Sequence, residues 1–118
     1  MASHNKLGKD GEKFAEQYLI GKGYEIMYKN WRYSYYEIDI IARRNDKLHI
    51  IEVKTLAETS LGYPEDSVTK RKFRRLRYAA TEFLYQHPEY RHIQYDVLAI
   101  TIRTDNRPDF FLLEDVYL

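Results

Sequence analysis

The fold is most clearly indicated by two neighbouring segments, Tyr36-Glu37-Ile38-Asp39-Ile40-Ile41-Ala42 and Leu48-His49-Ile50-Ile51-Glu52-Val53-Lys54. Both are rich in Ile and Val, which favour β-strands. The polar residues between them, Arg43-Arg44-Asn45-Asp46-Lys47, are typical of the turn of a β-hairpin. The sequence therefore predicts two paired strands, each carrying acidic residues in an otherwise apolar run.

A two-residue turn at positions 45–46 would define the register of this hairpin. Counting outward from that turn pairs Asp39 with Glu52. The next pair is Glu37 with Lys54, and all four side chains share one face because strand residues alternate with period two. A three-residue turn would instead shift the pairing by one residue and send Asp39 and Glu52 to opposite faces.

Two facing carboxylates indicate a site for a divalent cation. Directly opposed residues of antiparallel strands have Cβ atoms about 4.5–5.5 Å apart, so Asp39 and Glu52 would repel each other without a positive charge between them. Magnesium takes oxygen ligands and often needs only one or two protein carboxylates plus a substrate phosphate. Lys54 could position or deprotonate a water, or neutralise charge on that phosphate. The pattern Asp-X12-Glu-X-Lys is therefore compatible with phosphodiester cleavage.

The same four residues also fit two different interpretations, which stay open. Solvated charges with a cross-strand ion pair between Glu37 and Lys54 would account for the pattern equally well. Glycoside hydrolysis by two carboxylates is a further alternative, although Lys54 suits a phosphate substrate better. No Ser-His-Asp or Cys-His arrangement is identifiable, and the four histidines have no metal-ligand spacing.

Length and composition predict a single globular domain spanning residues 1–118. Hydrophobic residues make up 44% of the chain and charged residues 31%, which excludes a disordered protein. No apolar run approaches the length of a membrane span, and the start leads into charged sequence, so a soluble, cytoplasmic protein with no membrane partner is expected. The absence of cysteine excludes disulfides and thiolate metal sites. A net charge of +1 means that attraction to nucleic acid would have to come from local charge clusters.

The predicted order of elements is α-β-β-β-α-β-β, which makes the chain an α/β protein. The helices cover about residues 7–20 and 65–86, and the strands outside the hairpin cover 24–33, 93–102 and 109–113. Gly21 and Gly23 end the first helix and Pro88 ends the second. The inward face of the first helix comprises Leu7, Gly11, Phe14, Ala15, Tyr18 and Leu19. That of the second comprises Val68, Phe73, Leu76, Ala80, Phe83 and Leu84.

Glu12 is a candidate site residue on the first helix. It lies at the border of the apolar stripe beside Ala15 and Leu19, which would place it near the sheet. A glutamate in the first turn of a helix is also an ordinary partner of the helix dipole, so both interpretations stay open.

The second helix begins with a cationic cluster of six residues within positions 70–77: Lys70, Arg71, Lys72, Arg74, Arg75 and Arg77. Helical projection points Lys70, Arg71, Arg74 and Arg75 outward, where they could contact backbone phosphates or simply be solvated. Lys72 lies at the edge of the apolar face and could lean toward the acidic residues of the sheet. The 12 tyrosines include Tyr33, Tyr35 and Tyr36 beside the hairpin, which could stack on unpaired bases or pack on the sheet.

Six segments spread over nearly the whole chain together form a pattern: Asn5-Lys6-Leu7-Gly8-Lys9-Asp10-Gly11-Glu12, Lys29-Asn30-Trp31-Arg32, Glu37-Ile38-Asp39-Ile40-Ile41-Ala42, Ile51-Glu52-Val53-Lys54-Thr55, Gly62-Tyr63-Pro64-Glu65 and Tyr95-Asp96-Val97. In these segments and in their order the chain resembles the YraN family of bacterial endonuclease-like proteins. The resemblance implies the restriction-endonuclease-like PD-(D/E)XK fold, a mixed sheet flanked by helices, similar to archaeal Holliday junction resolvases.

The resemblance carries over the functional positions Glu12, Asp39, Glu52 and Lys54, with Lys72 as a further candidate. The resulting hypothesis is a Mg²⁺- or Mn²⁺-dependent nuclease acting on DNA, including branched or otherwise structured DNA. Asp39 and Glu52 would ligate the metal together with the Val53 carbonyl oxygen. Glu12 would bind a metal water or a second ion, and Lys54 would orient the attacking water.

Two further expectations complete this hypothesis. Arg71, Arg74 and Arg75 would hold the flanking nucleic-acid backbone, and a homodimer is implied because related resolvases act as dimers.

A non-catalytic nucleic-acid-binding or adaptor domain that retains the fold is the main alternative. A structural domain whose acids are merely solvated is another.

Overall fold

The computed structural model describes residues 2–59 and 69–116, with the backbone alone for residues 2–7. The elements are α1 (Ala2–Gly21), β1 (Glu25–Tyr33), β2 (Tyr36–Arg44), β3 (Lys47–Ala57), α2 (Lys70–Gln86), β4 (Ile93–Ile102) and β5 (Pro108–Leu113). The strands form one sheet in the order β1-β2-β3-β4-β5, in which β3 and β4 are parallel and the other neighbours are antiparallel. This confirms the predicted mixed α/β fold and its element order.

The two helices cover opposite faces of the sheet. On one face Leu19 of α1 packs in a buried cluster with Ile40 and Ile51, and on the other Phe83 of α2 packs with Ile41. Burial on both faces explains why the central strands are nearly continuous apolar runs. Neither helix in the described part of the chain combines the length and apolar character that a bilayer span requires.

The hairpin of β2 and β3 has the predicted two-residue turn. Arg44 pairs with Lys47, and the ladder continues from there to Ile40 with Ile51. Both turn residues have positive φ, 53° at Asn45 and 61° at Asp46. Asn and Asp tolerate this conformation, which two-residue hairpins of the type I′ class require.

The helix boundaries differ from the prediction at their N-terminal ends. α1 begins at Ala2, five residues before the predicted start. α2 begins at Lys70 instead of residue 65, because Thr69 is extended (φ −117°) and its side chain accepts a hydrogen bond from the Lys72 N–H, which makes it an N-cap. Three predicted features lie outside the residues that the structure describes. They are the motif at residues 62–65, the helical residues 65–68, which include Val68, and the Leu7 side chain.

The predicted inward faces of both helices are otherwise correct. Gly11, Ala15 and Leu19 of α1 are buried, and Phe14 and Tyr18 are partly buried. In α2 the predicted residues Phe73, Leu76, Ala80 and Phe83 are buried together with Ala79, while Leu84 is partly buried.

Candidate functional site

The alternation of side chains along β2 is broken at Asp39. Ile38 and Ile41 both belong to the core on the α2 side, whereas Ile40 belongs to the core on the α1 side. Asp39 opens on the α1 side as well, so two consecutive residues point the same way. The rule of strict alternation does not hold here.

The cause lies in the neighbouring strand β1. Lys29 pairs with Ile40 and Trp31 pairs with Ile38, which leaves Asn30 opposite Asp39. Asn30 has a φ of 52°, in the left-handed region that disrupts regular strand geometry. Both strands are therefore irregular at the same level of the sheet.

The pairing of β2 with β3 also ends next to Asp39. The last paired residues are Ile40 and Ile51, whereas β3 continues along β4 as far as Ala57. Beyond that point Asp39 Oδ2 accepts a hydrogen bond from the Val53 backbone N–H at 2.8 Å. A side-chain contact thus replaces the predicted direct pairing of Asp39 with Glu52.

Asp39 lies in a cleft of about 310 Å³ between α1 and the sheet, here called the α1 cleft. Glu16 in this cleft forms an ion pair with Lys29 (3.2 Å between Oε1 and Nζ). The α1 cleft thus brings two carboxylates of the first helix together with one from β2 and an amine from β1. Its polar lining residues are Glu12, Glu16, Lys29, Asn30, Asp39, Lys54 and Thr55.

The close approach of α1 to β3 depends on a glycine. A Cβ atom at Gly11 would overlap the side chain of Thr55. The helix can therefore lie against β3 only with glycine at this position. The neighbouring Glu12 is held at the α1 cleft by this contact.

Glu52 opens into a different cleft of about 240 Å³, here called the α2 cleft, whose polar lining residues are Tyr35, Tyr36, Glu37, Glu52, Lys72 and Arg75. The prediction that all four hairpin residues share one face is therefore wrong for Asp39, which lines the α1 cleft and not the α2 cleft. The break of alternation at Asp39 is the reason.

The ion pair of Glu37 in the α2 cleft is not the cross-strand pair with Lys54. Glu37 instead contacts Arg32, with 2.8 Å between Oε2 and Nη2. Lys72 lies in the same cleft as Glu52, which agrees with its predicted lean toward the acidic residues.

The carboxylates remain electrostatically coupled across the two clefts. Burial, together with the charges of Glu52, Glu37 and Glu12, raises the pKa of Asp39 to about 6 against the lowering effect of the Val53 hydrogen bond. Burial also raises the pKa of Glu52, which the charges of Lys72 and Lys54 partly offset. The charge of Lys54 thus acts on Glu52, two residues away on the same strand.

The carboxylates of the α1 cleft fit the requirements of a magnesium ion in part. Within residues 2–59 and 69–116, no three carboxylate, imidazole or thiol groups are arranged to hold a metal by themselves. Magnesium needs only one or two protein carboxylates and takes its other ligands from water and substrate. The carboxylate of Asp39, crowded by other negative charges, fits such a cation. The metal-binding roles predicted for Glu52 and the Val53 carbonyl oxygen stay predictions.

The outward-facing cations of α2 are exposed as predicted, namely Lys70, Arg71, Arg74 and Arg75. Arg75 lines the α2 cleft. Arg74 and Arg77 line a neighbouring groove of about 290 Å³ together with Tyr78. The cationic surface therefore adjoins the cleft that contains Glu52.

One polar cluster was missed by the sequence interpretation. His49 and Asp96 are both buried, with His49 Nδ1 2.7 Å from Asp96 Oδ2. Asp96 also accepts hydrogen bonds from Gln94 Nε2 (2.8 Å) and from the Asp115 backbone N–H (3.0 Å). No local spacing could have indicated this pair, because 47 residues separate its members.

Asn30 was also missed as a lining residue of the α1 cleft. A weak signal was present, because Asn is among the residues that adopt positive φ most readily. The sequence could have indicated an irregularity in β1, but not which residue of β2 would lie opposite it.

Comparison with known proteins gives a consistent family assignment. The family model described as "Uncharacterised protein family UPF0102" matches residues 11–100. A UPF0102 protein of Phocaeicola vulgatus is 40% identical over 100 residues, covering 85% of this chain and 83% of the relative. One of Parabacteroides distasonis is 43% identical over 84 residues (71% and 69%), and one of Rhodococcus opacus is 37% identical over 118 residues (99% and 100%).

Proposed function

The chain belongs to the uncharacterised protein family UPF0102, and from the chemistry of its two clefts we propose that it is a Mg²⁺- or Mn²⁺-dependent nuclease that cleaves DNA. We propose further that its fold is of the restriction-endonuclease-like PD-(D/E)XK type, as the resemblance to the YraN family implies. The pattern Asp39-X12-Glu52-X-Lys54 on two successive strands supports this assignment.

The environment of Asp39 is the observation that carries the proposal. Its carboxylate is partly buried among Glu12, Glu37 and Glu52, and its pKa is raised to about 6. Such crowding of negative charge costs stability in the free protein. A divalent cation would relieve it, because metal ligands are bound in their ionised form.

Three residues that line the α1 cleft have distinct parts in the proposed reaction. Asp39 would hold the cation, and Glu12 on α1 would bind a metal water or a second ion. Lys54 orients the attacking water and lies close enough to Glu52 for its charge to lower the pKa of that group. When bound, the cation would polarise the phosphate and stabilise negative charge on the leaving oxygen.

The cations of α2 support a nucleic-acid substrate. Arg71, Arg74 and Arg75 are exposed, and Arg75 lines the cleft that contains Glu52. Contacts from Arg and Lys to phosphates position a nucleic acid without reading its sequence. DNA with branches or other structural departures from a duplex is included in the proposed substrate class.

The test is a cleavage assay on linear, flapped and four-way DNA with Mg²⁺ or Mn²⁺, comparing wild type with Asp39→Asn. Wild type should cut at least one substrate, and chelator should stop it. Asp39→Asn should lower the rate by about a hundredfold or more, because it removes a metal ligand. It should keep or improve DNA binding, since one repulsive charge is lost.

Asp109→Asn is the matched control. Asp109 is exposed on β5, where it pairs with Arg103, and its substitution makes the same change in charge. It should leave cleavage unchanged. Wild-type rates in Asp39→Asn would refute the proposed role of this residue, and a wild type that cuts none of the substrates with either metal would refute the nuclease.

The second candidate is a nucleic-acid-binding or adaptor domain without turnover. The separation of Glu52 from Asp39 into different clefts favours this candidate over the nuclease. The exposed cations of α2 favour it over a third possibility, a purely structural domain. It predicts salt-sensitive DNA binding that chelator does not affect. Calorimetric titration of Mn²⁺ into wild type and into Asp39→Asn/Glu52→Gln distinguishes the two, because only the nuclease should show metal binding that the double substitution removes.

The homodimer implied by the resemblance is also part of the proposal. Sedimentation of the purified protein over a range of concentrations tests it. A mass of one chain, about 14.3 kDa, at all concentrations would contradict it.

A further inference from the structure

Several tyrosines at the rim of the α2 cleft are exposed and form a defined surface. The ring of Tyr36 on β2 stacks on that of Tyr78 on α2, with centroids 5.6 Å apart and an angle of 18° between the planes. Tyr78 is 59% exposed, and Tyr35 next to Tyr36 is 98% exposed. The rings of Tyr35 and Tyr78 therefore lie largely outside the core, whereas Tyr36 is partly buried against the α2-side core.

Tyr35 stands at the tip of a tight turn. Tyr33 and Tyr36 pair across the end of the β1–β2 hairpin, so that Ser34 and Tyr35 alone form the connection. Ser34 has a φ of 57°, as two-residue hairpin turns require. A short hairpin turn of this kind projects the Tyr35 ring from the sheet beside the α2 cleft.

Cations lie on both sides of the stacked tyrosines. Arg75 lines the α2 cleft together with Tyr35 and Tyr36. On the other side, Arg74 and Arg77 line the neighbouring groove together with Tyr78. The surface thus alternates between aromatic faces and guanidinium groups, which is the composition that single-stranded nucleic acid binds through its bases and phosphates.

The location relates this surface to the proposed chemistry. Glu52 lines the same cleft as Tyr35 and Tyr36. A DNA strand whose base lies on the tyrosines would therefore have its backbone next to the acidic residues. The faces of bases inside a duplex are already stacked on their neighbours, so only an unpaired base can use the tyrosines.

We propose that Tyr35 and the Tyr36–Tyr78 pair form a stacking platform for an unpaired base, and that the protein acts on DNA with unpaired nucleotides beside the cleavage point. This inference rests on the proposed nuclease function and specifies its substrate. The flanking arginines favour a nucleic acid over an apolar protein partner at this surface.

The experiment measures binding without cleavage, by fluorescence anisotropy in the presence of chelator. The probes are a fully paired DNA duplex and the same duplex with a short single-stranded tail. Wild type should bind the tailed DNA about tenfold more tightly. Tyr35→Ala and Tyr35→Ala/Tyr78→Ala should lose most of this preference and keep their affinity for the duplex, whereas Tyr35→Phe should retain it.

Tyr85→Ala is the matched control, because Tyr85 is 82% exposed on the same helix and lines neither cleft. It should behave as wild type. A 2-aminopurine base in the tail gives a direct readout, since its fluorescence should be quenched by wild type and less so by Tyr35→Ala. Equal affinity of wild type for both probes would overturn the platform. An unchanged preference for tailed DNA in Tyr35→Ala would overturn it as well.

The two proposals fail separately in this design. A preference for tailed DNA that depends on Tyr35, without any cleavage when metal is added, would refute the nuclease and leave the platform. Metal-dependent cleavage of paired and tailed DNA at equal rates, unaffected by Tyr35→Ala/Tyr78→Ala, would refute the platform and leave the nuclease.

Discussion

At the scale of single residues, two aspartates are held in opposite electrostatic environments. Asp39 is surrounded by other carboxylates, and burial together with these charges raises its pKa to about 6. For Asp96, burial would raise the pKa, but hydrogen bonds from His49, the Asp115 N–H and Gln94 together lower it. The first arrangement costs stability and suits a ligand, whereas the second stabilises the fold.

Asp39→Asn is expected to stabilise the metal-free protein above about pH 6. Because the pKa of Asp39 is raised from 3.8 to about 6 in the folded state, ionisation of this group opposes folding. The cost is absent below pH 3.8, grows as the pH rises from 3.8 to about 6, and stays constant above that at no more than about 3 kcal/mol. Asparagine avoids it and can still accept the Val53 hydrogen bond.

Urea unfolding of both proteins with chelator, at about pH 4 and pH 8, tests this expectation. The stability difference should appear at the higher pH alone. Mg²⁺ or Mn²⁺ should then stabilise wild type more than the variant. Equal stability of the two proteins at both pH values would contradict the environment assigned to Asp39.

Asp96→Asn is expected to destabilise the protein by about 2–4 kcal/mol at neutral pH, because it removes a buried charge that accepts three hydrogen bonds. Since the pKa of Asp96 is lowered in the folded state, its contribution is present above 3.8 and is lost as the pH falls through the lowered value. Asp109→Asn, at an exposed ion pair, should cost less than about 1 kcal/mol. Denaturant unfolding at pH 7 measures both, and similar effects of the two substitutions would contradict the prediction.

At the scale of elements, the site depends on where α1 and β2 meet β3. The pairing of β2 with β3 stops at Ile40 and Ile51, which leaves Asp39 free to contact Val53. The contact of Gly11 with Thr55 holds α1 against the same part of β3. The two contacts together bring Glu12 and Asp39 to one cleft.

Gly11→Ala should destabilise the protein by about 1–3 kcal/mol, because the added Cβ overlaps Thr55 and forces α1 away from β3. Displacement of Glu12 should also lower the cleavage rate. Gly8→Ala is the matched control, since no atom lies within 4 Å of its added Cβ, and it should stabilise the helix by about 0.5–1 kcal/mol. Thermal unfolding distinguishes the two glycines, and equal effects would show that α1 does not need this close contact.

At the scale of the whole molecule, a nearly neutral chain has a markedly uneven charge distribution. Lys and Arg number 19 against 18 Asp and Glu, yet six cations fall within residues 70–77. These residues form the start of α2, next to the cleft of Glu52. Attraction to DNA should therefore depend on this helix and not on net charge.

Arg71→Gln/Arg74→Gln should weaken DNA binding and reduce the slope of log affinity against log salt by about 2, one for each lost phosphate contact. Arg103→Gln/Arg107→Gln makes the same change in net charge at the β4–β5 connection, where both arginines pair with aspartates. That control should leave the slope unchanged. Anisotropy titrations over a range of salt concentrations measure it, and equal slopes for the two double variants would contradict a localised DNA surface.

Local patterns were sufficient to predict the element order, the strands of the hairpin and the buried faces of both helices. The strand preference of Ile and Val and the 3.6-residue period of a helix depend only on residues close together in the chain, so they predict strands and helix faces. Asn45 and Asp46 tolerate positive φ, so they predict the hairpin turn. The same patterns identified Asp39, Glu52 and the cations of α2 as candidates, whose roles stay predictions.

The arrangement of these candidates depended on contacts between residues far apart in the chain. Asp39 departs from strand alternation because Asn30 of another strand lies opposite it, and His49 meets Asp96 only through the parallel pairing of β3 with β4. Glu12 reaches the sheet because Gly11 fits against Thr55. A one-dimensional pattern specifies which face a regular element presents, but it holds no information on where a neighbouring element interrupts that regularity.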